Sequence, residues 1–289
     1  MENNVLNNIV KILAVLLIGL STKVSAEEVL VFGRTLHIES ALLKETRDYH
    51  VYLPASYENS DNVFPVVYLL DGDVHRLKAF SGVLEGLSTE TLGNQVLQAI
   101  VVAIPNTHRS RDLTPTQLSE WKFEERVLDR FEQSGGADRF AAFLQEELFK
   151  VIEKKFRTSE CRVLVAESFG GLFCAHVLLT KPSMFTDYLL IDPTAVWDSN
   201  YLNRVFDARK GGNDKTTSNF YFGFANNSHI GKLGRTNYQW GSDFASKLIE
   251  LNSAPGQAKQ QYFEHETHGT VAIMAWYNGL KFLLANTTN

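Results

Sequence analysis

The sequence is short of several things, and each shortage removes a class of function. It has two cysteines, Cys161 and Cys174, without C-x-x-C spacing, so it carries neither a disulfide scaffold nor a zinc or thiol-redox motif. It has no basic excess: 28 Lys and Arg stand against 33 Asp and Glu, a formal charge of −5. Nucleic-acid binding needs Lys and Arg concentrated over phosphate, so that partner is excluded. There is no Pro/Gly/Ser-rich linker, no internal repeat and no block of like charge. No His/Asp/Glu cluster has metal-ligand spacing, and no cofactor is implied. What is present is 44% hydrophobic side chain, too much for a disordered chain and enough to build a core.

The first 26 residues read as an address. Lys11 precedes an uncharged run, Ile12 to Leu20, and Val24-Ser25-Ala26 offers small residues at cleavage-type positions. These are the parts of a secretory signal, and the run is too short for a permanent span of a bilayer about 30 Å thick. Removing Lys11, Lys23 and Glu2 with it leaves 26 basic against 32 acidic residues, −6 on 263 residues. No second apolar run of membrane length follows. The expectation is an exported protein, periplasmic or secreted, with residues 27–289 forming a single domain without a membrane span.

Apolar stretches of strand length then alternate with amphipathic stretches of helix length. Strands are expected at Leu30–Glu39, Tyr49–Leu53, Phe64–Leu70, Ala99–Ile104, Val163–Ala166, Tyr188–Ile191, Phe220–Ala225 and Gln261–Phe263. Helices are expected at Gly136–Phe156, Gly171–Thr180, Ser242–Leu251 and Val271–Leu284. Strands apolar on both faces and separated by helices predict an α/β fold, a mostly parallel twisted sheet with helices on both faces. Asn106 to Gly136 is polar, aromatic and irregular, and reads as an inserted loop over one end of the sheet.

The chemistry concentrates at V-L-V-A-E-S-F-G-G-L-F, Val163 to Phe173. A buried strand runs straight into a helix through Ser168, with Ala166 two residues before and Gly170 two after. Strand and helix crowd at such a turn, so small residues are needed there, and the serine hydroxyl is pushed above the sheet as a nucleophile. A serine needs a base. His268 lies past the last expected strand and before the last helix, in H-E-T-H-G-T, where a serine–acid–histidine order puts one. The oxyanion donors would be the Phe169 N–H and one from the turn in Y-L-L-D-G-D, for which the Asp73 N–H is the candidate. Cys161 and Cys174 flank the turn on elements running in opposite senses and are expected to stay unbridged.

Taken together, Y-L-L-D-G-D, Ala103–Thr116, Ser134–Phe140, E-S-F-G-G, Ile191–Asp198 and the terminal T-H-G-T-V resemble the putative-esterase (esterase D-like) family of α/β-hydrolases. Its members include ferric-enterobactin esterases, feruloyl esterases, S-formylglutathione hydrolases and mycolyltransferases. The resemblance implies hydrolysis of a small-molecule carboxylic ester by Ser168 and His268, and an oxyanion donor in the L-L-D-G stretch.

One position departs from the usual pattern. No carboxylate follows the strand Phe220–Ala225, where the chain reads Asn226-Asn227-Ser228. Asp192, at the end of the preceding strand, is the favoured acid. Asn226 or Asn227 orienting the ring without charge is an alternative, as is a Ser–His dyad; Asp198, Asp243 and Glu266 are further candidates. Arg109, with Arg111 and Asp112, is expected to meet a polar or anionic substrate, and Trp197 to form an aromatic wall. A siderophore triester fits Arg76, Lys78, Arg109 and Arg111; a short-chain or aromatic acyl ester fits equally. Acyl transfer to a sugar or lipid alcohol, and a binding module that keeps the fold without turnover, remain the competing readings.

Overall fold

A computed structural model describes residues 31–209, 217–252 and 258–286. The expected signal segment, residues 1–26, lies outside the described residues. From Gly33 onward the chain forms one compact unit. Its centre is an eight-stranded sheet, in the order β1 (Arg34–Ser40), β2 (Glu45–Tyr52), β4 (Ile100–Ile104), β3 (Phe64–Leu70), β7 (Thr158–Glu167), β8 (Asp187–Ile191), β9 (Asn219–Ala225) and β10 (Ala258–Phe263). The pairs β1–β2 and β2–β4 are antiparallel, and every pair from β4 to β10 is parallel. The mostly parallel sheet expected from the apolar runs is therefore what forms.

Both faces of the central strands are buried, because successive side chains point to opposite sides. Val66, Tyr68 and Leu70 of β3 enter one core with the helical segment Ala137–Phe143 and Phe149–Lys155 and with the helix Phe169–Thr180. Val67 and Leu69 enter the other, with α1 (Val74–Ser88) and the last helix, Val271–Leu283. Between Ala137–Phe143 and Phe149–Lys155 lies one π-helical stretch, Leu144–Leu148. The two thiols are free, Cys174 fully buried and Cys161 partly so.

Three differences from expectation bear on the site. The first is α1, which follows β3 directly. Asp73 caps it by accepting from Arg76 N at 2.8 Å, and Leu77, Phe80, Leu84 and Leu87 supply its buried stripe. The second is the stretch after β4, which is not simply a loop. It holds a short helix, Arg109–Leu113, and an antiparallel hairpin, β5 (Glu120–Phe123) with β6 (Arg126–Arg130). The third is the helix expected at Ser242–Leu251, which starts at Lys232. Gly234 makes that early start possible, since a Cβ there would lie 1.9 Å from the Asn227 carbonyl oxygen. Among the described residues no helix is long and apolar enough to cross a membrane.

Candidate active site

The candidate residues converge at the C-terminal ends of the parallel strands, where α/β sheets present their ligand sites. β7 ends at Glu167, the next helix begins at Phe169, and Ser168 between them takes φ 61°, ψ −122°. That is a costly conformation for a residue with a side chain, and its neighbours hold it there. Ser168 N donates to Ile191 O at 3.1 Å, while Ser168 O accepts from Leu172 N at 2.9 Å and Thr194 N at 3.1 Å. The need for small flanking residues is visible: a Cβ on Gly170 would sit 3.3 Å from both the Ala166 Cβ and the Asp71 Oδ2.

Asp192 follows β8 in the left-handed region, φ 39°, and is wholly buried. Its Oδ2 accepts from His268 Nδ1 at 2.5 Å and from Asn227 Nδ2 at 2.7 Å, and its Oδ1 accepts from Ala225 N at 3.3 Å. Asn227 closes the loop by accepting from His268 N through Oδ1 at 2.9 Å. Asn227 does not replace the acid; it supports the carboxylate and the histidine backbone together. The hydrogen bond that His268 donates to Asp192 raises its pKa above the ordinary 6.5; burial opposes this, and the Asp192 and Glu167 charges reinforce it. Among the described residues no hydrogen bond joins Ser168 Oγ to His268 Nε2, although both side chains border the same two cavities.

Of the other acid candidates, Asp198 pairs with Arg204, and Asn226 donates to Glu264 O. Glu266 meets Asn226 through its backbone carbonyl.

The donors of the expected oxyanion site differ in state. Phe169 N is the first N–H of its helix and has no intrahelical acceptor. Asp73 N, expected as the second donor, is bonded to Asp71 O at 3.0 Å, and Gly72 N to Ile104 O at 2.9 Å. Asp71 itself is clamped by Arg109, whose Nε and Nη2 lie 2.6 and 2.9 Å from its two carboxylate oxygens. Burial works to raise the Asp71 pKa, but the Arg109 contacts outweigh it and the net shift is downward.

Two cavities meet at Ser168 and His268. The larger, about 790 Å³, is bordered by charge: Asp71, Asp73, Arg76, Arg109 and Glu167. In it Arg76 pairs with Glu167 and lies over the Trp276 ring, 5.3 Å from its centroid. The smaller, about 310 Å³, is bordered by Trp121, Val196, Ile230 and Leu233.

Two expectations about substrate contacts need correction. Trp197 is fully buried and donates from Nε1 to Thr116 Oγ1 at 2.8 Å. It backs the rings of Trp121 and Phe169, at 5.7 and 5.3 Å between centroids, and does not face a cavity. The aromatic that lines a cavity is the half-buried Trp121 of the hairpin, which falls within the stretch expected to be a loop. Asp112 is also buried, held by Arg47 Nη1 and Arg111 Nε at 2.6 Å each. Arg111 also reaches Glu45 at 2.6 Å. Asp112 and Arg111 thus anchor the short helix that carries Arg109, and they do not reach the cavity.

A parallel sheet with a strained serine between strand and helix, a buried carboxylate at the next strand end and a histidine past the last strand defines an α/β-hydrolase fold. A family model described as "Putative esterase" matches residues 40–204, more than half of the chain, and the chain belongs to that family. Ferri-bacillibactin esterase BesA of Bacillus subtilis (strain 168) is 32% identical over 182 residues, 56% of this chain and 59% of that protein. Siderophore enterobactin esterase of Emericella nidulans is 42% identical over 71 residues, 24% of this chain and 23% of that protein. The chain therefore spans less than two thirds of either relative's length. The crystal structure of an IroE-like serine hydrolase from Shewanella oneidensis has a TM-score of 0.79 at 33% identity, covering 87% of this chain and 80% of that one.

Proposed function

We propose that this protein is an exported serine esterase that cleaves siderophore-type carboxylic esters through an acyl-enzyme on Ser168. The observation that carries the reading is the wholly buried Asp192 carboxylate 2.5 Å from His268 Nδ1, beside the strained Ser168 turn. Asp192 fixes the ring with Nδ1 as donor, leaving Nε2 to accept the serine proton. Ser168 Oγ then bonds to the ester carbonyl carbon, and the carbonyl oxygen gathers negative charge against Phe169 N–H. Collapse breaks the carbon–oxygen bond to the alcohol, which leaves with the proton from Nε2. A water gives its proton to the same nitrogen and attacks the acyl carbon, and Ser168 recovers its proton as the acid departs. The raised His268 pKa suits a ring that holds a positive charge between these steps.

The names of the relatives, ferri-bacillibactin esterase and siderophore enterobactin esterase, support a siderophore ester as substrate. The export reading rests on Lys11, the apolar run Ile12–Leu20 and Val24-Ser25-Ala26. Purified protein and its Ser168→Ala variant, assayed on p-nitrophenyl butyrate and on ferri-bacillibactin and ferri-enterobactin, test the reading. Hydrolysis by the parent alone is the expected result; hydrolysis that survives the substitution removes Ser168 from the mechanism.

A further inference from the structure

The two cavities that meet at Ser168 and His268 differ in chemistry, and the two sides of an ester differ in fate. During turnover the alcohol leaves while the acyl group stays on the serine, and water must then reach the acyl carbon. The 790 Å³ cavity has Ile273 and Trp276 on one part of its lining, but it also carries the charged side chains Asp71, Asp73, Arg76, Arg109 and Glu167, and such groups hold water. It suits the departing alcohol and the incoming water.

The 310 Å³ cavity is different. Trp121, Val196, Ile230 and Leu233 give it apolar walls, with Thr194 and His229 also on the lining, and its two asparagines are already paired. Asn237 accepts from Val196 N at 3.3 Å and donates to Pro193 O at 3.1 Å. Asn227 spends its amide on Asp192 and the His268 backbone. A ligand group entering here gains chiefly from removing apolar surface from water.

Resting on the esterase reading above, we infer that this smaller cavity is the acyl subsite and that it selects an apolar acyl arm of limited length. A cavity of about 150 Å³ holds one benzene ring. A space of 310 Å³ therefore takes an aromatic ring with its linker, or an aliphatic chain of at most roughly twelve carbons. The hairpin β5–β6 sets that limit through Trp121. Its indole packs 5.4 Å from the Phe169 ring and 5.7 Å from the Trp197 ring, and its Nε1 donates to Val196 O at 3.4 Å. Ile230 and Leu233 form another part of the lining, from the turn Ser228–Ile230 and the start of the helix Lys232–Leu251.

The test measures kcat/KM for p-nitrophenyl acetate, butyrate, octanoate, myristate and benzoate. Each methylene buried contributes about fourfold, so octanoate should exceed acetate by at least about tenfold even with partial burial, and myristate should fall below octanoate. Trp121→Ala lengthens the subsite and should raise the myristate-to-octanoate ratio by about fivefold or more. Leu233→Trp fills it at a residue outside the Phe169 ring cluster and should lower the octanoate-to-acetate ratio by about tenfold. Ratios are the readout because Trp121 touches Phe169, so its loss also lowers the rate for every ester. If both variants hydrolyse esters with chain-length ratios within about twofold of the parent, the subsite assignment is wrong. If the parent hydrolyses none of the esters and a fluorophosphonate leaves Ser168 unlabelled, the esterase reading beneath it fails instead.

Discussion

Replacing Asp192 by Asn separates a three-residue mechanism from a Ser–His pair working alone. The carboxylate receives hydrogen bonds from three groups: His268 Nδ1 and Asn227 Nδ2 on Oδ2, and Ala225 N on Oδ1. An amide can accept at only one end. With its NH2 toward His268 it faces two donors and forces the ring into the other tautomer, with the proton on Nε2, where it cannot take one from serine. With its NH2 toward Ala225 N it gives up only the longest of the three bonds and keeps an acceptor against the ring. The second orientation is the cheaper, so part of the ring's alignment survives and the charge is what is lost. The expected fall in kcat/KM on p-nitrophenyl butyrate is then about 10³-fold, near 4 kcal/mol of transition-state stabilisation at 1.36 kcal/mol per decade. The pH profile moves as well. In the parent the His268 pKa is raised chiefly by its hydrogen bond to Asp192, so the acidic limb of kcat/KM should lie above 6.5, and in Asp192→Asn it should shift downward. A variant within about threefold of the parent rate, with an unmoved acidic limb, would refute the role given to the carboxylate.

Other outcomes follow from the same geometry. Asn227→Ala removes one bond to Asp192 and one to the His268 backbone, and should cost roughly tenfold in kcat/KM, read in the same assay with KM little changed. Gly234→Ala puts a Cβ where the Asn227 carbonyl oxygen sits 1.9 Å away; it should lower both Tm and kcat, whereas alanine at the uncrowded helical Gly82 of α1 should leave kcat unaffected. Arg47→Ala leaves Asp112 buried with Arg111 as its remaining cation. At about 3 kcal/mol for a broken buried pair it should lower Tm by roughly 6–12 °C in a thermal melt. The His268 pKa is higher folded than unfolded, so the His268–Asp192 ion pair stabilises fully below about pH 6.5 and fades as pH rises through the raised value. The Tm gap between the parent and His268→Gln should therefore narrow from pH 5.5 to pH 8.5.

Much of this was legible in the residues. The continuous apolar run Phe64–Leu70 could only be a strand covered on both faces, and every residue of it is buried. The serine turn was readable because its steric demand falls on composition: Ala166 and Gly170 stand where strand and helix crowd. What escaped reading depended on contacts between distant segments. The stripe Leu77–Phe80–Leu84–Leu87 has helical spacing, but its capping residue, Asp73, also belongs to the turn expected to supply an oxyanion donor, which masked the start of α1. The hairpin β5–β6 turns through Glu124 at φ 54° without glycine or asparagine, so the usual turn signal is missing. Asp192 stayed one of several acid candidates because its reach depends on register. The pairing of Ile191 with Gly223 sets Asp192 beside the end of β9, where Ala225 and Asn227 meet it. Trp197 and Trp121 are both tryptophans near the site, and only the packing of the hairpin decides which of them is covered.

Labelling the parent protein with a fluorophosphonate, and mapping the adduct by mass spectrometry of its peptides, decides whether Ser168 is the nucleophile of an esterase. The expected result is one stoichiometric adduct on Ser168, formed more slowly in Asp192→Asn and absent from Ser168→Ala. An adduct on another residue, or a parent protein that stays unlabelled while hydrolysing p-nitrophenyl butyrate, would contradict it.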